Sequence, residues 1–259
     1  MRLVSFRLSG WALATAIVAG QSIRSFEVAT VKPSGPEDIT RRFTIQGRRF
    51  VTIHTSLADL IQFAHGLHPH QIESGPNWLE SDKFDVVAST SSERQPTEQE
   101  WMKMMANLLA SRFQLRFHLD KRELPVYAIL VARENPKLTV TDGDANGPGS
   151  VYFRGRGQLV ATNANIADLA WELQSAVVDR PVVDHTGLTS RFNFTLTWTP
   201  DEFQKSNLTG QTPTSEEPPN VFTAIRQQLG LRLEAAKSLV DVMVIDHVEQ
   251  PSEIDSETL

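Results

Sequence analysis

Two stretches of the chain follow one plan, and a repeated plan limits what the whole can fold into. From Asn165 to Pro200 the sequence NIADLAWELQSAVVDRPVVDHTGLTSRFNFTLTWTP reads as a capped helix, a tight Asp-His-Thr-Gly turn and a long alternating strand. From Ser56 to Ala88, SLADLIQFAHGLHPHQIESGPNWLESDKFDVVA repeats that order. Ser56 with Asp59 and Asn165 with Asp168 are matching helix starts, a capping side chain followed by an acid in the first turn. Positions 59 and 168 lie 109 apart.

The rest of the chain extends the match. Phe26–Lys32 alternates apolar and polar residues and ends at Pro33, as a strand does before a loop. Phe43–Ile45 and Phe50–Ile53 flank Gln46-Gly47-Arg48-Arg49, a hairpin; Tyr152–Arg154 and Gln158–Thr162 flank Gly155-Arg156-Gly157 in the same way. Gly66 and Pro69 end the first helix, and Phe84–Ala88 is a strand. Thr97 and Glu100 form a capping box before a helix whose apolar stripe is Trp101, Met104, Met105, Leu108 and Leu109. Val221–Leu229 is its later counterpart, stopped by Gly230. Gln114–Leu119 and Val126–Val131 read as two strands, answered later by Leu231–Leu233 and Val240–Ile245. The expected fold class is α+β: a tandem duplication of a strand-rich unit, two helices per copy, with the helices packed on mainly antiparallel sheet. The expected division is a signal peptide over 1–20, a first repeat lobe over 21–134, a linker over 135–150, a second lobe over 151–249 and a flexible tail over 250–259. Glu202–Pro219 reads as a long polar loop.

Export is indicated at the start. Arg2 and Arg7 precede the apolar run Leu8–Val18, and Val18-Ala19-Gly20 offers small residues for cleavage. The run is shorter than the roughly 20 residues that span a bilayer, so no integral span is expected after cleavage, although the segment kept as an anchor is the rival. Removal of both arginines takes the formal net charge from -6 to -8. An acidic chain has no broad basic field for phosphate backbones, which excludes nucleic acid as an expected partner. Cysteine is absent, so disulfides, thiolate metal sites and cysteine nucleophiles are excluded together.

Several constellations invite chemistry. His65, His68 and His70 form an H-x-x-H-x-H cluster, but Gly66 and Pro69 lie among them and a helix end has no regular face for ligands. Asp142, Asp144 and Asn146 with Gly147 match the opening of a calcium loop, yet Phe153 stands where a bidentate Glu is required. Asp184, His185 and Ser190 contain the residue types of a hydrolase triad without a nucleophile elbow, and read better as turn chemistry with Gly187 at positive φ. Gly155-Arg156-Gly157 lacks the third glycine of a dinucleotide site. Capping explains Asp59 and Asp168. Trp78, Trp101, Trp171 and Trp198 are assigned to cores, Trp171 on an apolar helix face; a tryptophan beside a groove would mark a site. No cofactor is expected.

The segments FEVATVKPS, AHGLHPHQIESGPNWLESDKFDVVA, DRPVVDHTGLTSRFNFTLTWTP and LGLRLEAAKSLVDVMVIDHVEQPSE resemble the soil-bacterium-associated domain of unknown function 3738, from Phe26 to about Glu253. The resemblance implies an exported protein without an assigned activity. Some members of that family are joined to a membrane metallopeptidase of the antibiotic-sensor type, which implies an extracytoplasmic sensing or binding part. Aromatic or other residues often stand in that family where His65 and His70 stand here, which argues against a metal site. Each helix with its flanking strands is also similar in pattern to the short N-terminal domain of secretins and TonB-dependent transporters. The expected function is an exported, non-catalytic binding or interaction module of the cell envelope, periplasmic or secreted. Its partner would be an unidentified protein or small molecule, taken in the groove between the lobes or on a free strand edge. The alternative is a hydrolase or metal-dependent enzyme whose site assembles only in the fold.

Overall fold

Capping fixes where the helices begin. Ser56, Thr97 and Asn165 each accept the amide three residues on, and Asp59, Glu100 and Asp168 return a carboxylate to the cap amide. These reciprocal pairs satisfy amides that a helix start otherwise leaves orphaned. The computed structural model describes residues 25–251 apart from 36–39, 133–135, 144–146, 148 and 201–217. The expected signal segment, nearly all of the Glu202–Pro219 loop and most of the tail lie outside the described residues.

Among the described residues there are five helices and twelve strands. The first half contributes β1 (Val28–Pro33), β2 (Arg42–Gln46), β3 (Arg49–Ser56), α1 (Leu57–His65), β4 (Ile72–Glu73), α2 (Trp78–Ser81), β5 (Lys83–Ser89), α3 (Glu98–Arg112) and β6 (Arg116–Val131). The second contributes β7 (Thr139–Val140), β8 (Ser150–Phe153), β9 (Gln158–Ala164), α4 (Ile166–Ala176), β10 (Val182–Asp184), β11 (Phe192–Thr197), α5 (Val221–Ala224) and β12 (Leu231–His247). The fold is α+β, with helices on mainly antiparallel sheets. The two outer sheets run β1-β5-β3-β2 and β7-β11-β9-β8, and the central sheet runs β10-β6-β12-β4.

Both outer sheets carry the same irregularity. His54 and Asn163 stand two residues before the caps Ser56 and Asn165, with φ of 53° and 51°. The His54 amide donates to Asp85 Oδ1 at 3.1 Å and the Asn163 amide to Asn193 Oδ1 at 2.8 Å. The strand register slips at both places. These are β-bulges in the left-handed region, each held by a side chain of the neighbouring strand.

The centre differs from the expected four short strands. β6 and β12 are continuous, pairing antiparallel from Arg116 with His247 to Val131 with Leu231, a ribbon about 50 Å long at ~3.3 Å per residue. Pro125 does not break it. The Tyr127 amide points away from β12, to the Pro181 carbonyl at 2.9 Å. Position 125 shares that orientation, so its missing N–H lies on the outer edge and costs no β12 bond. Each long strand leaves one lobe and finishes in the other. Leu115, just before β6, and Phe117, at its start, pack in the first core with Met243 and Ile245 from the end of β12. Ile129 from the end of β6 packs in the second core with Leu231 and Leu233 from the start of β12. A division of the chain near residue 134 therefore does not divide the cores. Between them Val126, Val240 and Val242 form a third, smaller cluster.

Other differences are local. α2 is one helical turn that the sequence reading did not contain. The expected helix Val221–Leu229 is four α-helical residues followed by a wider π turn, Ile225–Leu229, ending at Gly230. Thr139–Val140, inside the expected linker, pairs with β11.

Candidate functional site

The cap at Asn165 sets the register of α4. It turns Ile166, Leu169, Ala170 and Leu173 into the second core, and leaves Ala167, Trp171 and Gln174 on the side that looks toward the first lobe. Trp171 is half-buried and belongs to neither core. This corrects its assignment to an apolar core face. Trp101 and Trp198 are each 2% exposed and fully in cores, and Trp78 packs at the edge of the first.

Trp171 is a wall of a groove of about 230 Å³ at the lobe junction, with Gly66, Gln71, Gln174, Val183 and Val240 also lining it. Two glutamines tie the walls together. Gln174 donates to the Gly66 carbonyl at 3.0 Å and accepts from the Val182 amide at 3.0 Å. Gln71 donates to the Asp241 carbonyl at 2.8 Å and accepts from the His68 amide at 3.0 Å. Both are buried, and a buried amide side chain costs stability unless it is bonded in this way. Gly66 makes the Gln174 contact possible: it closes α1 in the left-handed region, at φ 65°, where a residue with a Cβ is strained.

The other side of Trp171 faces acids. Its indole stands against the Glu98 carboxylate at the start of α3, close enough to act on that acid. Glu98, Asp168 and Glu172 thus meet where the first lobe touches the second. Burial raises the Glu98 carboxyl above the usual range, with Asp168 adding to the rise and the Trp171 indole opposing it. Burial pushes Glu172 up to about 8, reinforced by Glu98 and then Asp168. Like charges brought together in a partly buried place favour the protonated form. Glu100, on the same helical turn as Glu98, is held down at about 2, chiefly by its hydrogen bond from Arg94.

Of the residues singled out in the sequence as candidates, Asp184 lines this groove, and the three histidines and Asp142 do not. His65 packs edge-on against Phe117, ring centroids 4.9 Å apart; its Nε2 is buried without a partner, and burial lowers its pKa. His68 Nδ1 accepts the His70 amide at 3.2 Å, capping a single turn at Pro69–Gln71, and His70 is exposed. Among the described residues no group of three or more His, Asp or Glu is arranged to hold a metal ion. Asp142 is exposed, while Asp144 and Asn146 lie outside the described residues. Asp184 Oδ1 accepts from both the Thr186 amide and hydroxyl, at 2.8 and 2.7 Å. Gly187 has φ 69° and Ser190 is exposed, so this is a turn. The sequence reading missed Glu98 and Glu172, which are far apart in the chain and meet only when the lobes dock. The one local signal was Asp168 with Glu172 at i and i+4, a like-charged pair that an isolated helix disfavours.

Among the described residues no helix is long and apolar enough to cross a membrane. No curated protein and no solved structure matches the chain at a significant level. A family model matches residues 58–248, from the first turn of α1 to just past β12, with β1, β2 and β3 lying before the match. The chain belongs to that family, described as Protein of unknown function (DUF3738).

Proposed function

We propose that the chain is an exported, non-catalytic binding module of the cell envelope, built from two copies of one strand-rich unit and taking a ligand in the groove between them. The observation that carries this reading is Trp171. A large aromatic side chain left out of both cores and set in a groove wall is available for contact. Around it, the polar side chains with fixed partners hold the walls: both glutamines are spent on the protein itself. That is the arrangement of a shaped surface. The matching outer sheets, caps and bulges support descent of both lobes from one unit. Among the described residues lining the groove the charged side chain is Asp184, a carboxylate, which favours a neutral or cationic ligand over an anion.

The test is a melting-temperature screen of the full mature chain against amino acids, polyamines, disaccharides and blocked peptides. A compound that binds only the folded state raises the melting temperature. The expected result is at least one saturable shift that disappears in Trp171→Ala. No shift with any of these compounds, or a shift unchanged in Trp171→Ala, overturns the groove reading.

A second reading, a hydrolase, rests on one observation: the raised carboxyls of Glu98 and Glu172 beside an aromatic wall, the kind of pair that serves as acid and base in catalysis. It requires turnover of a groove ligand that is lost in both Glu98→Gln and Glu172→Gln while binding persists.

A further inference from the structure

A second concavity lies wholly in the first lobe, between α1 and the segment that carries α2, and it has a volume of about 580 Å³. That is within the range of small-ligand sites, roughly 300–1,000 Å³, and larger than the junction groove. It owes its wall to a local difference between the lobes. Nine residues join β4 to β5 and include a helical turn, whereas seven join β10 to β11 with no helix.

The segment is shaped, not slack. Ser74 holds φ 63° without being glycine, and residues held in that region concentrate at ligand clamps and turns. Gly75 lies so close to α2 that an added Cβ would meet Leu79 Cδ1 at 1.9 Å. The equivalent stretch of the second lobe uses Asp184 to close its own turn.

The polar groups here differ in kind from those at the junction. Gln62, Ser74 and Asn77 line the cavity, and among the described residues no hydrogen bond holds any of their side chains. Asn77 stands at the helix start without making a cap bond. At the junction, by contrast, Gln71 and Gln174 are fully engaged by backbone. Among the described residues the one charged side chain lining the cavity is Glu80, with Ile72 and Leu79 supplying apolar surface. Carboxamides pair donor and acceptor with a main-chain amide, while among the described residues no aromatic ring lines the cavity to stack on a sugar face. Ile72 also belongs to β4, the outermost strand of the central sheet, and such an edge is where an extended segment docks.

From these features we infer that the cavity between α1 and α2 is a second binding site, one that takes an uncharged, extended peptide segment with a small aliphatic side chain entering the cavity. Gln62, Ser74 and Asn77 bond the main chain, and Ile72 and Leu79 receive the side chain. Glu80 turns away acidic peptides. The site shares the binding-module reading of the protein but not its groove, so the two succeed or fail separately.

The experiment is titration of the full mature chain with acetyl-Ala-Leu-Ala-amide, followed by calorimetry and by backbone amide NMR shifts, beside acetyl-Ala-Asp-Ala-amide and chitobiose. The expected result is saturable binding of the neutral peptide at millimolar concentration or below, with shifts centred on Ser74 and Asn77. Asn77→Ala and Gln62→Ala should each weaken it about tenfold, the scale of one lost hydrogen-bonded contact, with the melting temperature close to the parent's. Trp171→Ala should bind it as the parent does. The aspartyl peptide should bind more weakly. Absence of saturable binding overturns the inference, as does binding indifferent to Asn77→Ala and Gln62→Ala. Chitobiose binding at these residues without the peptide overturns the peptide assignment. Peptide binding lost in Trp171→Ala but intact in Asn77→Ala assigns the ligand to the groove and overturns this site.

Discussion

The two lobes are alike in how they are built and unlike in what they leave open. Each has a four-stranded outer sheet of the same order, a left-handed bulge two residues before a capped helix, and a short strand laid parallel against the central ribbon. The departures are concentrated at surfaces. Asp59 in the first lobe meets the Arg41 guanidinium at 3.2 Å, whereas its counterpart Asp168 sits with Glu98 and Glu172. Gln62 on α1 lines an open cavity, while Trp171, at the same place on α4, stands in the junction wall. The first lobe has α2 and a 15-residue α3; the second replaces α3 with one turn of helix and a π turn. What the lobes share carries the fold, and where they part, concave surface and unbalanced charge appear.

The sharpest way to break this comparison is through the crossed strands. Ile129→Ala should cost roughly 2–5 kcal/mol, the range for truncating a buried aliphatic side chain, and should speed amide exchange in α4 although residue 129 lies in the first half of the chain. Met243→Ala should cost a similar amount and loosen α1 and α3 instead. Exchange that rises in the opposite lobe in each case would show that the strands do not cross as described.

Next in size is the acid cluster. The folded protein keeps its proton on Glu172 to about pH 8, while an unfolded chain releases it near pH 4.3. The folded state therefore binds more protons between these values, and this site's contribution to stability falls as pH rises through that window. Glu172→Gln removes the penalty. It should match the parent below pH 4, gain steadily toward pH 8 and then hold a constant advantage on the order of 2 kcal/mol, given the partial exposure of the site. Melting temperatures measured from pH 4 to 9 check the sign. An advantage that grows toward acid pH would place the carboxyl in the opposite environment.

The smallest effects sharpen the likeness. Ser56→Ala and Asn165→Ala each remove one capping box and should each cost about 1 kcal/mol. Chemical denaturation of both variants would reveal any large inequality between the matching helix starts.

Much of this was legible in the sequence, for physical reasons that are local. The caps at Ser56, Thr97 and Asn165, the stripe from Trp101 to Leu109 and the turn at Asp184 depend on neighbours within a few residues, and the structure places them as read. Continuity of β6 through Pro125 was not legible, because it depends on which side of the strand meets a partner. The bulges were hidden as well: His54 and Asn163 tolerate the left-handed region, but only Asp85 and Asn193 on adjacent strands reveal the need for it. Trp171 was misassigned because its heptad neighbours Ile166, Leu169, Ala170 and Leu173 are apolar. Nothing nearby in sequence says that a second lobe leaves the ring at a seam.

Trp171 and Trp101 side by side give the most direct test. Thermal melts of Trp171→Ala and Trp101→Ala, each with and without the compounds that shift the parent, separate a groove wall from a core. Trp101→Ala should lose about 3–5 kcal/mol. Trp171→Ala should lose about 1 kcal/mol, the scale of a typical substitution outside a core, and should no longer respond to the ligand. A Trp171→Ala variant that melts as low as Trp101→Ala, or that keeps the full ligand shift, would contradict the account.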